Sequence, residues 1–302
     1  MPPPPAPPDH PPHTTTDLLA ARPLAGQVAL VTGAGRGLGA VMARRLGEAG
    51  ADVALVARSA GDLERVAAAV EETSARSVVL PADVADAEGL DRAFARAEEA
   101  LGPLTLVVNG AGDGAVPGPV WEADPGRWWR TFEVNLQGVF HGLRSALRRM
   151  VPRGHGRVVN VSSRAGNVAI AHSSAYATSK SAVTRLTEIA ALEARPFGVH
   201  VFALEPGTVR TPMTESLIAS EAGRRWLPWY RAIFDEGRDV PPDEGAALLV
   251  RLARGDADAL AGRFVSRADD LDALVADAAR IAGEERLVLR LAGSRTTPES
   301  TP

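Results

Sequence analysis

The chain has 302 residues, an apolar fraction of 45% and a net charge of −4. That is enough for one large α/β domain or two small ones, and the acidic balance speaks against a nucleic-acid partner. It contains no cysteine, which excludes disulfides, thiolate metal sites and thiol nucleophiles.

No apolar run is long enough to span a bilayer, so no membrane partner is expected. The opening M-P-P-P-P-A-P-P-D-H-P-P-H lacks a basic stretch followed by an apolar one, so no secretory signal is read there and a soluble, cytoplasmic protein is expected. Residues 1–22 are proline-rich, then threonine-rich, and should be extended or disordered. His10 and His13 have no further ligand pattern nearby, and no metal site is expected.

Val28–Thr32 is a short apolar run ending in glycines, as expected of a strand buried on both faces. Gly33, Gly35, Gly37 and Gly39 follow, and Val41–Ala49 reads as a helix. Strand, glycine-rich turn and helix form the setting in which backbone N–H groups cradle a pyrophosphate at a helix N-terminus. Asp52–Ala57 is a second strand, Gly61–Ser74 an alanine-rich helix, Ser77–Leu80 a third strand leading to Asp83, and Glu88–Leu101 another helix. Leu104–Asn109 is a fourth strand ending in N-G-A-G, and Pro125–Met150 reads as one long helix carrying Trp128, Trp129, Phe132 and Phe140. Arg157–Val161 is a fifth strand. A helix through Tyr176 stops near Arg195, and Val199–Leu204 is a sixth strand closed by Pro206 and Gly207. Strands alternating with helices predict an α/β fold, a doubly wound parallel sheet with helices on both faces. Ligands of such sheets bind outside the carboxyl ends of the strands. Gly33, Arg58, Asp83, Asn109, Ser163 and Pro206 all fall there.

Tyr176 and Lys180 are four residues apart, one helical turn, on one face. The chain has only two tyrosines, and Lys180 is its sole lysine. Lysine offers a compact ammonium where arginine offers a planar fork. Beside a tyrosine that charge favours the phenolate, so the phenol is expected to be lowered and able to exchange a proton near neutral pH. Alone, the pair is more readily a packed ring beside a solvated charge.

A site for NAD places an acid at the end of the second strand to bind the ribose 2′-hydroxyl. Here that strand ends in Ala57 and Arg58, and Arg36 lies in the glycine turn. Two guanidiniums suit a 2′-phosphate, so NADP (as NADPH) is favoured, with NAD possible.

The sequence T-G-A-G-R-G-L-G from Thr32, D-V at Asp83, N-G-A-G from Asn109, V-N-L at Asn135, S-S at Ser162, Y-A-T-S-K from Tyr176 and P-G-T-V-R-T from Pro206 resembles the short-chain dehydrogenase/reductase family in order and spacing. The resemblance covers about Leu24 to Asp269. It implies a Rossmann-type domain that transfers hydride reversibly between a nicotinamide and a small-molecule carbonyl or alcohol. Tyr176 would be the acid and Lys180 would hold the nicotinamide ribose. Ser163, standing at the family's usual distance before the tyrosine, would bond the substrate oxygen in preference to Ser162. Asn135 would hold a water linking Lys180 to solvent. Gly33, Gly37 and Gly39 would cradle the pyrophosphate, Asp83 would contact the adenine, and Asn109 would support the central strands. Val209 and Thr211 would meet the carboxamide, and Leu38, Val84, Ala111, Gly112, Pro206 and Gly207 complete the cofactor set from the same motifs. Gly110 departs from the family's N-N-A-G.

Gly262–Ser266 resembles the family's last strand. The expected domain spans about 23–294, with 295–302 a flexible tail. Asp269–Ala282 reads as an added helix with one apolar stripe, able to cover the site, meet a neighbour or complete the core. The resemblance also implies a homo-oligomer, dimer or tetramer. The segment at about 212–242 corresponds to the family's lid, and Trp226, Leu227, Trp229, Tyr230 and Phe234 within it suggest a sizeable apolar substrate. These rings could equally pack the lid onto the domain. Trp128 and Trp129 suit core or interface, and His172 could touch the substrate. Two other readings are a dinucleotide sensor without turnover, opposed by the intact Ser163, Tyr176, Lys180 and Asn135, and a hydrolase using Ser163 with His172, which lacks the G-x-S-x-G turn. The arginine-heavy composition resembles that of GC-rich bacteria, where such reductases often serve secondary metabolism.

Overall fold

The computed structural model describes residues 22–291. The proline-rich stretch before them, with His10 and His13, and the tail 295–302 lie outside the described residues. Among the described residues seven strands pair in the order β3–β2–β1–β4–β5–β6–β7, all parallel. They are β1 (Val28–Thr32), β2 (Asp52–Ala57), β3 (Ser77–Pro81), β4 (Leu106–Asn109), β5 (Gly156–Val161), β6 (Val199–Glu205) and β7 (Phe264–Ser266). The strand order reverses between β1 and β4, which opens a crevice at their carboxyl ends. This is the Rossmann-type architecture.

Helices cover both faces because the central strands are apolar on both; all of Val28–Thr32 is buried. On one face lie α1 (Gly37–Glu48) and α2 (Ala60–Glu71), which bury Met42, Leu46, Leu63 and Val70. On the other, α3 (Ala87–Leu101) buries Leu90 and Phe94 at helical spacing. Each such fully buried large side chain is worth about 1.5–3 kcal/mol relative to exposure. Asp86 caps α3, accepting from the Gly89 N–H at 3.0 Å.

The long helix expected over Pro125–Met150 is interrupted. It runs as α4 (Pro125–Phe132), a π-helical turn (Glu133–Gln137) and α5 (Gly138–Arg153). The wider turn aims Asn135 into the molecule, fully buried. The helix of the Y-x-x-x-K pair, α6, spans Ser174–Ala194. After β6 the segment expected as a lid folds as α7 (Pro212–Ala219), α8 (Glu221–Trp226) and α9 (Pro228–Asp235), and α10 (Pro242–Arg254) returns to the core beside α1.

The C-terminal helix expected over Asp269–Ala282 is two, α11 (Leu271–Ala276) and α12 (Ala278–Gly283), which meet at Asp277 (φ −100°, ψ 8°). Asp277 accepts from Arg280 at the junction, at 2.7 Å. Leu271, Ala278 and Ile281 are buried in the core, while Ala273 and Leu274 line the rear of the cleft. The segment thus both completes the core and walls part of the cleft. No helix among the described residues is long and apolar enough to cross a membrane.

Candidate active site

A cleft of about 2390 Å³ opens at the carboxyl ends of the strands. Every residue singled out for catalysis or cofactor binding lines it except Asn109 and Asn135, which lie buried beneath.

The glycine turn is shaped by close approach. Gly33 has φ +73°, and a Cβ there would lie 2.7 Å from the Ala111 backbone. A Cβ on Gly39 would lie 2.3 Å from the Gly33 carbonyl oxygen. The turn therefore presses against the start of α1, leaving a cradle that side chains would fill. Helix α1 has no acid in its first turn, so its positive end faces the cleft uncompensated, as a pyrophosphate requires. These residues fit a dinucleotide.

Arg36 and Arg58 are both exposed at one corner of the cleft, and neither makes an ion pair among the described residues. Asp62, which also lines the cleft, is already paired with Arg65. Asp83 accepts from the Ala85 N–H (3.0 Å) and from Arg130 (3.0 Å). Burial alone would raise its carboxyl, but these bonds and the nearby Arg58 hold it below the ordinary value. Sequence reasoning missed Arg130, which lies outside any motif on α4.

Asn109 donates to Asn160 (2.8 Å), which donates to Thr187 (2.9 Å), joining β4, β5 and α6. Asn135 donates to the Asp113 carbonyl (2.9 Å) and to Ser179 (3.1 Å) and accepts from the Asp113 N–H (2.7 Å). Both amide donors are taken, so only acceptor capacity remains for a water.

The two serines after β5 differ. Ser162 is buried with its hydroxyl on Thr184 (2.9 Å). Ser163 is half-buried and lines the cleft with Tyr176, close enough for its hydroxyl to oppose the effect of burial on the phenol. The loop reaches that position because Gly166 packs against the α6 backbone, where a Cβ would lie 2.7 Å from the Lys180 carbonyl carbon. Ser181 ties the same loop down, donating to the Gly166 carbonyl at 2.6 Å.

The expectation that Lys180 lowers the Tyr176 phenol is overturned. Burial pushes the phenol up, the Ser163 hydroxyl pulls it back, and the charge of buried Glu205 pushes it further up. Lys180, almost fully buried, donates to the Val161 carbonyl (2.8 Å) and stands 5.9 Å from the tyrosine ring centroid. Burial pushes its own ammonium down to about 8. Sequence shows the spacing of the pair but not how dry the site is.

That burial has a testable consequence for stability. Below pH about 8 Lys180 is charged in both folded and unfolded chains, and the folded state bears the full desolvation cost. As pH rises from there toward 10.5 the folded lysine is neutral while the unfolded one still binds a proton, so stability increases. Lys180→Met without cofactor should therefore be more stable than the parent at pH 7, by about 2 kcal/mol: about 3 from the depressed pKa, less about 1 for the carbonyl left unpaired. The gap should narrow by pH 10. Urea unfolding at both pH values checks it, and a variant less stable at pH 7 would sink the argument.

Glu205 closes β6. It accepts from the Gly207 N–H (2.9 Å) and from Ser266 (2.6 Å), pinning the Pro206–Gly207 turn. An acid ending an apolar strand just before P-G was the available signal. Thr211 caps α7 through a reciprocal pair with Thr214, and Val209 bridges to Val240 across the base of the 212–242 segment.

His172 does not line the cleft. It has φ +67°, and its ring lies 4.7 Å from Trp226. Its carbonyl accepts from the Gly118 N–H at 2.9 Å. Its ring is engaged with Trp226 of the 212–242 segment, and it is Tyr176 and not His172 that lines the cleft with Ser163. Trp226 and Phe234 pack that segment, the latter under Arg210, while Leu227, Trp229 and Tyr230 line the cleft. Trp128 stacks on Phe132 (4.5 Å) and donates to Ser174 (3.1 Å), whereas Trp129 stays exposed.

A glycine cradle at the switch point of a parallel sheet, with serine, tyrosine and lysine converging beside it, defines an oxidoreductase acting on an alcohol or a ketone with a nicotinamide cofactor. Residues 27–222 match the family profile described as short chain dehydrogenase. The chain is 35% identical over 203 residues, 67% of its length and 77% of the relative's, to 2,3-dihydro-2,3-dihydroxybenzoate dehydrogenase of Bacillus subtilis. Its fold matches the crystal structure of levodione reductase with a TM-score of 0.75 at 31% identity, over 80% of this chain and 96% of that one. It also matches a gluconate 5-dehydrogenase from Burkholderia cenocepacia in complex with NADP and tartrate, with a TM-score of 0.72 at 29% identity, over 82% and 96% of the two chains. The chain belongs to the short-chain dehydrogenase/reductase family.

Proposed function

We infer that this protein is an NADPH-dependent ketoreductase acting on a fairly large, mainly apolar ketone. The observation that carries the reading is the Ser163–Tyr176 pair beside buried Lys180, in a cleft that Leu227 and Trp229 also line. The bound nicotinamide supplies the hydride. Ser163 donates to the substrate oxygen and fixes its place, and Tyr176 gives that oxygen its proton. Lys180, turned from the Val161 carbonyl, holds the nicotinamide ribose. Asn135 accepts from a water that resupplies the proton through Lys180. Arg36 and Arg58 bind the 2′-phosphate and Asp83 meets the adenine.

Two of the named relatives are dehydrogenases and one is a reductase, so either direction is compatible with the family. The phenol held up by burial favours reduction, because it is protonated at neutral pH. Trp129, Phe140, Ile189 and Leu192, exposed on α4, α5 and α6, offer the apolar surface on which a homo-oligomer would form.

Consumption of NADPH across ketones from small and polar to large and polycyclic tests the reading, with NADH run alongside. Turnover rising with ring size is expected. Tight NADPH binding with no turnover on any ketone would overturn it in favour of a sensor.

A further inference from the structure

The chain's two tyrosines meet in one cleft. Tyr176 stands on α6 and Tyr230 on α9, and both line the same space. The Tyr230 ring is clamped edge-on between Trp229 (5.7 Å) and Phe234 (5.6 Å). The helix start is held by the Tyr230 N–H on the Leu227 carbonyl (3.0 Å). A ring fixed in this way loses little further entropy when a ligand arrives.

Its hydroxyl makes no hydrogen bond among the described residues. Of the polar groups nearby, Glu205 is committed to Gly207 and Ser266. On the cleft wall the phenol stands beside apolar Leu227, Trp229 and Ile233, a setting in which a ligand that accepts its hydrogen bond gains from the pairing. Burial pushes Tyr230 well above its ordinary pKa, and the charge of a Tyr176 phenolate pushes it further, which places the two rings within electrostatic reach. Tyr230 is therefore a protonated donor at any working pH.

Resting on the ketoreductase reading, we propose that Tyr230 is a specificity-determining residue whose hydroxyl donates a hydrogen bond to a second oxygen of the substrate. The substrate class narrows accordingly. It is a ketone (or, in reverse, a secondary alcohol) with an apolar body and a further carbonyl, hydroxyl or ether oxygen. The reacting oxygen belongs to Ser163 and Tyr176, the second to Tyr230, and two fixed points hold the molecule in one orientation.

The test uses Tyr230→Phe in the full chain. That change removes one oxygen and keeps the ring contacts to Trp229 and Phe234. Wild type and variant are compared on cyclic ketones paired with and without a second oxygen, cyclohexanone with hydroxycyclohexanone and tetralone with hydroxytetralone. NADPH affinity is measured in parallel. The expected result is a loss of about tenfold in kcat/KM on the oxygenated member, the size of one hydrogen bond in a desolvated site, with the plain ketone and NADPH affinity changed by less than about twofold. Equal losses on both members would mean that Tyr230 acts on the reacting oxygen or on the lid, and no loss on either would mean that it meets nothing. Both results overturn the proposal while leaving the reductase standing. Failure of the wild type to turn over any ketone while binding NADPH overturns the reductase reading and this proposal with it.

Discussion

Tyr176→Phe should lower kcat by about 10³-fold while the NADPH dissociation constant stays within about twofold. The substitution removes the hydroxyl that Ser163 influences, on a ring whose centroid lies 5.9 Å from the lysine ammonium. The ring remains, so α6 keeps its packing. What is lost is the proton that must reach the oxygen as hydride arrives, and neither Ser163 nor water at the cleft mouth offers one at comparable geometry. Burial holds the phenol protonated at neutral pH. Reduction in the parent should therefore proceed well near pH 7, whereas alcohol oxidation, which needs the phenolate, should accelerate as pH rises. Stopped-flow reduction and fluorescence titration with NADPH separate the two quantities. Near-normal turnover in the variant would remove Tyr176 from the chemistry.

The second large effect is expected at the opposite end of the cofactor. Changing Arg36 and Arg58 together to alanine should raise KM for NADPH by about 10²-fold and that for NADH by less than about threefold. Charge-assisted hydrogen bonds to phosphate are worth about 1.5–3 kcal/mol each, reduced here because both side chains are exposed and screened. Neither arginine is tied to an acid, and Arg36 gives α1 no side-chain cap. The fold should tolerate the double change, and steady-state kinetics with each cofactor reads it. Equal losses with NADPH and NADH would refute the phosphate assignment.

Much of this molecule is legible before any coordinates. The bounds of β1 and β2 coincide with the apolar runs Val28–Thr32 and Asp52–Ala57, because a strand buried on both faces shows in composition alone. The cleft residues could be placed at the strand ends from element order, since chirality leaves few ways to wind a parallel sheet. What could not be read depends on geometry finer than periodicity. A π-helical turn adds one residue to a helix whose apolar pattern continues on both sides, so Pro125–Met150 looks unbroken. The break at Asp277 is likewise a local backbone event inside one apolar stripe. The sign of the Tyr176 shift was misjudged because a neighbouring charge is visible in sequence and the loss of water is not. His172 drew attention as a polar residue near a tyrosine, yet its ring is engaged with Trp226.

The sole lysine also makes the molecule unusual as an object for chemistry at the bench. Its surface cations are guanidiniums, and its only side-chain amine stands inside the reaction chamber, almost fully buried and with an ammonium pushed down to about 8. Above that pH the amine is neutral and nucleophilic, so acylating dyes and activated resins find one side-chain target, reached only through the cleft. Coupling by amine chemistry would divide between the chain's α-amine and this buried side chain, and a bound dinucleotide would stand in the reagent's path to the second. Amine-directed tethering with the dinucleotide bound would therefore spare the lysine.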